Sequence, residues 1–210
     1  MYNKFFKRVI DVVLSFVGII VLLIPMIIIA IIIKCTSTGP VFFKQKRVCL
    51  HKKHFNLFKF RTMRTDTPHD MPTHLLANPE QYITSIGKFL RKSSLDELPQ
   101  IFNILTGKMS IIGPRPALWN QDDLIAERDK YGANDIRPGL TGLAQISGRD
   151  ELEIDVKAKL DGEYVEKMSF VFDVKMFFGT IVSVLKSDGV VEGGTGEIEK
   201  KEDKQEVGSK

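Results

Sequence analysis

Two adjacent acidic residues, Asp96 and Glu97, are the side chains best suited to chemistry in this sequence, and they lie within the run Ser93–Gln100. A capping box from Ser94 to Glu97 would place Pro99 where its missing N–H breaks a helical hydrogen bond, so a later helix start is favoured. Both acids then lie at the cap or in the first turn, where unpaired amides attract phosphate and lower carboxylate pKa. This setting suits an ionised Asp96 as a nucleophile toward phosphorus. The alternative is that both acids are ordinary helix-starting residues.

A single arginine lies between two prolines in the segment Gly113-Pro114-Arg115-Pro116. The prolines restrict the backbone, and the planar guanidinium group matches the spacing of phosphate oxygens. We therefore expect Arg115 to bind phosphate. On its own, the same segment also fits a rigid turn with a solvated arginine.

A glycine-rich segment spans residues 137–149 and is bracketed by Arg137 and Arg149. Closely spaced glycines allow a backbone to approach a ligand, and the flanking arginines would favour an anion. The segment is neither a Walker loop nor a dinucleotide-binding fingerprint, and a glycine-rich turn in a domain without catalytic function would look similar.

Composition leaves several classes of function open. Thirty Lys and Arg residues against 26 Asp and Glu give a formal charge of +4, which suits a nucleotide, a nucleic acid or an anionic membrane surface. Cys35 and Cys49 are too few for a disulfide framework and are expected to be free thiols on a reducing, cytoplasmic side. A metal site at Cys49, His51 and His54 is rejected because no fourth ligand is apparent and two lysines separate the histidines.

The element that would bring such a site to a membrane is the uncharged run from Val12 to Ile33. At about 1.5 Å per residue it just covers a bilayer core of roughly 30 Å, and it is too long for a cleaved signal peptide. Pro25 near its middle predicts a kink, and basic residues flank both ends. These features favour a re-entrant helical hairpin broken at Pro25, with a kinked spanning helix as the alternative.

The remaining chain predicts several short elements that would position the candidate residues. Alternation over 54–61 indicates a strand that carries Lys59 and Arg61 on one face, and 65–79 is expected to be a surface loop. Helical spacing predicts an amphipathic helix over 83–92 with a cationic side that includes Arg91, then helices over 98–105 and 121–131. The wide apolar face over 170–185 suits either the membrane interface or the domain core.

The predicted fold is therefore α+β and predominantly helical, with an N-terminal re-entrant membrane helix hairpin, amphipathic interfacial helices and a small β element. Residues 1–36 form the membrane helix with its basic flanks. Residues 37–190 form a cytoplasmic, membrane-associated catalytic domain, and residues 191–210 form a charged tail that is expected to be flexible.

Taken together, these segments resemble the bacterial sugar transferases of the monotopic phosphoglycosyl transferase family, in particular its minimal, single-domain members. The resemblance covers Tyr2 to about Val190. It is carried by five ordered blocks, which are 59–63, 94–100, 113–116, 137–145 and the spaced residues Asp161, Tyr164 and Asp173. Two departures are Cys49, where glycine is usual, and Asp150, where asparagine is common.

The resemblance implies a ping-pong phosphosugar transfer. Asp96 would attack the β-phosphorus of a UDP-sugar and release UMP, and polyprenyl (undecaprenyl) phosphate would then open the phosphosugar-aspartate. Asp96 and Glu97 would be the catalytic pair and would also hold Mg²⁺. The implied substrate-binding residues are Lys59, Arg61, Arg91, Arg115, Arg137, Gln145, Arg149, Asp161 and Asp173.

The implied reaction is the first membrane step in the assembly of a glycoconjugate, whether capsule, O-antigen, exopolysaccharide or glycoprotein glycan. The expected partners are a UDP-sugar, polyprenyl phosphate and membrane lipids, with downstream glycosyltransferases as further candidates and no nucleic acid. The expected location is the inner membrane, with both termini and the catalytic domain on the cytoplasmic side. A non-catalytic adaptor that binds anionic lipids is the alternative from another class. A soluble, UDP-releasing glycosyltransferase is disfavoured by the membrane segment.

Overall fold

The computed structural model describes residues 2–67, 79–148 and 152–186. Arg149, Asp150, most of the expected loop over 65–79 and the tail over 191–210 lie outside the described residues. Within the described ranges the chain is predominantly helical with two small sheets, which confirms the predicted α+β class. The helices are α1 (Lys7–Thr36), α2 (Ser85–Lys92), α3 (Gln100–Leu105), α4 (Asp122–Asp129), α5 (Leu143–Ser147), α6 (Ile154–Lys167) and α7 (Phe170–Lys186). The strands are β1 (Phe42–Val48), β2 (His54–Phe60), β3 (Ser110–Ile112) and β4 (Gly139–Thr141).

Helix α1 has 30 residues and, among the described helices, is the one long and apolar enough to cross a membrane. Most of its large hydrophobic side chains are exposed, from Val9 to Ile32. The helix runs through Pro25, so the expected break into two helices is not present in the secondary structure. The physical reason is that proline removes only one N–H, and Leu22 and Met26 on the adjoining turns pack against the domain. Re-entry into the membrane remains a prediction.

Polar contacts fasten the first turns of α1 to the rest of the chain. The buried Lys7 ammonium pairs with Asp173 of α7. The Arg8 guanidinium donates to the carbonyls of Ile104 (2.7 Å) and Leu105 (2.8 Å) at the end of α3. Since each of these contacts involves a charged side chain, they fix where α1 begins against the domain.

The second half of α1 is held by apolar packing. Met26 and Ile33 are buried in one cluster with Phe60 of β2 and Leu90 of α2. Both ends of α1 therefore contact the same folded unit.

Two small sheets organise the domain. Strands β1 and β2 are antiparallel, with Phe42 opposite Phe60 and Val48 opposite His54. Strands β3 and β4 are parallel, with Ser110 opposite Gly139. Strand β2 was predicted, whereas β1 was not, because its run of lysines hides the alternation.

The predicted helices form with shifted ends. Thr84 caps α2 by accepting a hydrogen bond from the Gly87 N–H at 3.0 Å. The amphipathic helix therefore begins at Ser85, two residues after the predicted start at residue 83. The expected helix over 98–105 begins only at Gln100. Along α7, Met176 is buried in a core cluster and Phe172 packs against it, whereas Val171 and Phe178 are among the most exposed side chains of the helix. One side of α7 therefore covers the domain core, and much of its apolar surface is exposed.

Candidate active site

Asp96 and Glu97 lie in a separate turn of 3-10 helix, Leu95–Glu97, between α2 and α3. Ser94 enters that turn with φ 56°, a left-handed conformation that is unusual for serine, and its side chain forms no capping hydrogen bond. The capping box is therefore absent. The prediction that both acids lie at the cap or in the first turn of the following helix is also wrong, because α3 starts at Gln100 and its N-cap residue is Pro99.

The same turn packs against the second half of α1. Leu95 and Leu98 flank the acid pair and pack into the cluster that contains Met26 and Ile33 of α1. Apolar neighbours of this kind remove water from the adjacent carboxyl group, and Asp96 is only 7% exposed.

Two cations converge on Glu97. The Lys59 ammonium lies 2.7 Å from Glu97 Oε1 and 3.7 Å from Asp96 Oδ2. The Arg115 guanidinium reaches the same Glu97 oxygen at 3.1 Å. The structure thus brings together four predicted site residues from three separate sequence blocks.

The two carboxyl groups experience opposite electrostatic effects. The expected lowering of the pKa of Asp96 is wrong, because burial raises that pKa against the opposing charge of Lys59. The negative charge of Glu97 raises the pKa of Asp96 further. Burial alone would also raise the pKa of Glu97, but Lys59 and Arg115 hold it well below its usual range. These surroundings favour the ionised form of Glu97, whereas Asp96 is the more basic carboxylate, a property that suits a nucleophile.

Arg115 is positioned by backbone pairing between its own segment and the glycine-rich segment. The Gly113 N–H donates to the Thr141 carbonyl, and the Gly139 N–H donates to the Pro114 carbonyl, each at 2.8 Å. A Cβ atom on Gly139 would lie 2.1 Å from the Gly113 nitrogen, and one on Gly142 would lie 2.2 Å from the Gly113 oxygen. In the described structure these glycines allow two segments of backbone to approach each other. The sequence pattern had instead suggested that they allow the backbone to approach a ligand.

Arg91 lies at the end of α2, close to the acid pair. Its Nε donates to Thr62 Oγ1 at 3.0 Å, and its Nη2 lies 3.2 Å from Met63 Sδ. Its positive charge favours the ionised form of Asp96. Arg91 therefore remains a candidate for binding a phosphate that approaches Asp96.

Arg61 faces the loop after α1. Its guanidinium donates to the carbonyl of Ser37 at 3.0 Å, to the Ser37 hydroxyl at 2.7 Å and to the carbonyl of Thr38. With only 5% of its surface exposed, Arg61 joins β2 to the end of α1, and these contacts give it a structural role.

Two other predicted binding residues lie in buried networks. Asp161 pairs with Arg128 at 2.6 Å between α6 and α4. Asp173 contacts Lys7 and accepts hydrogen bonds from Tyr2 and Tyr164, each at 2.7 Å. Both contact sets hold helices together.

Arg137 and Gln145 also form hydrogen bonds to backbone carbonyls within the protein. The Arg137 Nε donates to the Gly107 carbonyl at 3.1 Å, and the Gln145 amide donates to the Leu140 carbonyl at 3.2 Å. Substrate binding by these residues stays a prediction, as it does for Arg149. Arg47 was not among the predicted residues, because its contact with the Pro116 carbonyl depends on strand β1 and on the register of β1 with β2.

The carboxylates available for a cation are those of Asp96 and Glu97. Within the described ranges there is no group of three or more His, Cys, Asp or Glu residues that could enclose a metal ion. Two carboxylates fit Mg²⁺, which keeps several waters and commonly takes its remaining ligands from substrate phosphates. The described site could therefore hold such an ion only together with a phosphate-bearing substrate.

Comparison with known proteins agrees with this geometry. The family model described as bacterial sugar transferase matches residues 2–187. An uncharacterized sugar transferase of Bacillus subtilis, EpsL, is 41% identical over 159 residues, which are 76% of this chain and 77% of that protein.

Two further relatives are longer proteins. The UDP-glucose:undecaprenyl-phosphate glucose-1-phosphate transferase of Escherichia coli is 37% identical over 194 residues, which are 85% of this chain and 40% of the relative. The undecaprenyl-phosphate galactose phosphotransferase of Salmonella typhimurium is 34% identical over 202 residues, 89% of this chain and 42% of the relative. The chain thus spans about two-fifths of the length of these two enzymes, and it belongs to the bacterial sugar transferase family.

Proposed function

We propose that this chain transfers a phosphosugar from a UDP-sugar to undecaprenyl phosphate and releases UMP. The observation that carries the proposal is the buried Asp96, which lies beside the cations Lys59 and Arg115 on a turn that packs against the apolar helix α1. A nucleophile in this position meets a charged, water-soluble donor on one side and a lipid acceptor on the other. The activities named for the relatives use these two classes of substrate.

In the first step, an oxygen of the Asp96 carboxylate attacks the β-phosphorus of the donor. The bond between that phosphorus and the oxygen bridging to the α-phosphorus breaks, and UMP leaves with the bridging oxygen and its electron pair. Lys59 and Arg115 offset the negative charge on the reacting phosphates, and Glu97 holds both cations in place. The raised pKa of Asp96 makes it a stronger nucleophile once it is ionised.

In the second step, a phosphate oxygen of the lipid attacks the phosphorus of the aspartyl-phosphosugar. The bond from phosphorus to the Asp96 oxygen breaks, which restores the carboxylate and yields a polyprenyl diphosphosugar. Arg91 is suited to orient the incoming phosphate, because its positive charge favours the ionised form of Asp96. We place this reaction at the start of glycoconjugate assembly.

Asp96 and Glu97 would hold Mg²⁺ jointly with the diphosphate of the donor. When bound, the ion neutralises phosphate charge that the two nearby cations leave uncompensated. Because Glu97 Oε1 already accepts from Lys59 and Arg115, that oxygen is the least suited to the ion.

We further propose that α1 enters the inner membrane and returns to the same face. The support is that its first turn pairs with α7 through Lys7 and Asp173, while its last turns pack on β2 and α2. A helix with both ends on one folded unit does not separate those ends by a bilayer. The basic residues that flank α1 at both ends support a cytoplasmic location for that face.

The proposed function is tested by UMP release from a panel of UDP-sugars, with and without undecaprenyl phosphate. We expect a stoichiometric burst of UMP without lipid, full turnover with lipid, and a phosphosugar adduct on the peptide that carries Asp96. Asp96→Asn should abolish the adduct. Asp155→Asn, which removes an exposed acid on α6, is the matched control. Vesicle binding without UMP from any donor would favour the lipid-binding adaptor, and release of UDP would indicate an ordinary glycosyltransferase.

A further inference from the structure

We infer that Arg47 is a positioning residue for the transfer reaction, acting by fixing the segment that carries Arg115. The inference rests on the proposed function, because it concerns the rate of the same phosphosugar transfer. Arg47 lies on β1, and the path from its side chain to the acid pair consists of described contacts.

The first step along that path is the contact between Arg47 and Pro116. Arg47 Nη1 donates to the Pro116 carbonyl at 2.9 Å. Proline has no backbone N–H, so this carbonyl is the only polar backbone group through which the residue can be held. A charged donor to a backbone oxygen is among the stronger hydrogen bonds of a protein.

Arg47 is itself held in one orientation. Its Nε and Nη2 both donate to Gln45 Oε1, at 3.1 and 2.6 Å. Gln45 and Arg47 are two residues apart on one strand, so their side chains lie on the same face of the hairpin. The register pairs Lys59 with Phe43 on that face as well, which connects Arg47 to the side of the sheet that bears the Lys59 cation.

The backbone around Pro116 is fastened independently of the Arg47 side chain. Arg47 and Leu118 form an antiparallel bridge, and the Val48 N–H donates to the Ala117 carbonyl at 2.9 Å. These are backbone contacts, which any residue at position 47 retains. Replacement of Arg47 should therefore preserve the fold, while the peptide group of Pro116 loses the contact that fixes its orientation.

That peptide lies directly after Arg115, whose guanidinium reaches Glu97 at 3.1 Å. On its other side the segment is fixed by the pairing of Gly113 and Pro114 with β4. Because the backbone is held on both sides of Arg115, its guanidinium has a defined position relative to Asp96 and Glu97. Loss of the Arg47 contact leaves that side to the backbone contacts of Ala117 and Leu118, which do not fix the orientation of the Pro116 carbonyl. Displacement of a catalytic group by about 1 Å can reduce a rate roughly 10²-fold.

The test is a double-mutant cycle on the full-length chain, with UMP release in a single turnover as the measured rate. We expect Arg47→Met to slow release by about 10- to 100-fold with little change in the thermal unfolding midpoint, and Arg47→Lys to restore part of the loss. In an Arg115→Met background, Arg47→Met should slow release by less than about twofold, because the group that it positions is gone. Arg64→Met, which removes an exposed arginine paired with Asp66, is the control and should match the parent.

Each outcome has a defined meaning. Equal losses from Arg47→Met in the parent and Arg115→Met backgrounds would overturn the positioning role, and so would unchanged release in Arg47→Met. A parent chain that releases no UMP from any UDP-sugar would instead refute the proposed function. If Arg47→Met does not fold, the Arg47→Lys cycle gives the same comparison.

Discussion

At the scale of single residues, the two adjacent acids have different tasks because their surroundings differ. Asp96 is buried above apolar side chains, whereas Glu97 accepts hydrogen bonds from both Lys59 and Arg115. The first acid is suited to form a bond to phosphorus, and the second to arrange positive charge. This division predicts distinct phenotypes for two isosteric substitutions.

Asp96→Asn should abolish both the covalent adduct and UMP release, since an amide cannot replace the carboxylate as nucleophile. Glu97→Gln should still form the adduct at a rate about 10²-fold lower, because Lys59 and Arg115 lose the negative charge that they share. Rapid-quench mass spectrometry of the peptide that contains both acids measures the two rates. An adduct on Asp96→Asn, or equal loss in both variants, would contradict the assignment.

The two cysteines provide a second prediction at this scale. Burial raises the pKa of the Cys49 thiol, which donates to the Lys108 carbonyl at 2.9 Å, whereas Cys35 is exposed at the end of α1. Thiolate is the reactive form, so a maleimide at pH 7 to 8 should modify Cys35 and spare Cys49 until the chain is unfolded. Cys35→Ser should abolish labelling of the folded protein, and Cys49→Ser should leave it unchanged. Labelling of folded Cys35→Ser would show that Cys49 is accessible.

At the scale of elements, the parallel pair β3 and β4 determines where Arg115 lies. The Gly139→Ala substitution would force a Cβ to within 2.1 Å of the Gly113 nitrogen, and no flexible side chain is available to move aside. We expect the strands to separate, with a loss of about 1–3 kcal/mol in unfolding free energy and a larger proportional loss of UMP release.

The matched control for that substitution is Gly179→Ala in α7, where the new Cβ would meet only the flexible end of Ile146 at 3.1 Å. Alanine favours a helix over glycine by about 1 kcal/mol, so this variant should be at least as stable as the parent. Thermal unfolding in detergent measures both variants. A Gly139→Ala chain with parental stability and activity would mean that the close approach of the two backbones is unimportant.

The buried contact between Lys7 and Asp173 is the second element-scale test, because it fixes α1 to α7. Asp173→Asn should cost about 3–5 kcal/mol, since it leaves the Lys7 ammonium buried without a negative partner. Glu163→Gln removes an exposed partner of Lys167 on α6 and should cost less than about 0.5 kcal/mol. The difference between the two thermal midpoints measures the effect. Similar midpoints would show that α1 is anchored mainly by its apolar half.

Patterns of residue type identified the acid pair, Lys59, Arg115 and the existence of α1, because each is encoded within a short stretch of sequence. The partners of Arg61 and Asp161 could not be predicted in this way. Arg61 meets a loop 24 residues earlier, and Asp161 meets an arginine 33 residues earlier, so both contacts depend on packing. The glycines near Arg115 were recognised, but their role was not, since the second backbone comes from a distant segment.

At the scale of the whole molecule, the exposed apolar surface is shared by α1 and α7. Phe16 and Ile24 are 58% and 69% exposed, and Val171 and Phe178 are 76% and 60% exposed. Apolar areas of this kind indicate a surface that is covered in the native setting, and a bilayer fits a helix as apolar as α1. The buried Asp96 lies beside the second half of α1, so the proposed lipid phosphate need not leave the interface to reach it.

This arrangement predicts that both ends of α1 lie in the cytoplasm. In intact cells, a membrane-impermeant maleimide should not modify the native Cys35, and an N-terminal tag should be protected from external protease. Both should become accessible after the inner membrane is permeabilised. An externally accessible N-terminal tag on the unmutated chain would refute re-entry, while leaving the chemistry at Asp96 untouched.

The Pro25→Leu substitution tests what keeps α1 from spanning the membrane. It removes the roughly 3 kcal/mol by which proline disfavours a straight helix, and a longer regular helix is better suited to cross a bilayer. The pairing of Lys7 with Asp173 still holds the first turn to the domain, so we expect a mixed population, read as partial external accessibility of the N-terminal tag. Adding Asp173→Asn should increase the spanning fraction, because the first turn then loses its charged partner. If the double variant is as protected as the parent, neither Pro25 nor the Lys7 contact determines the topology.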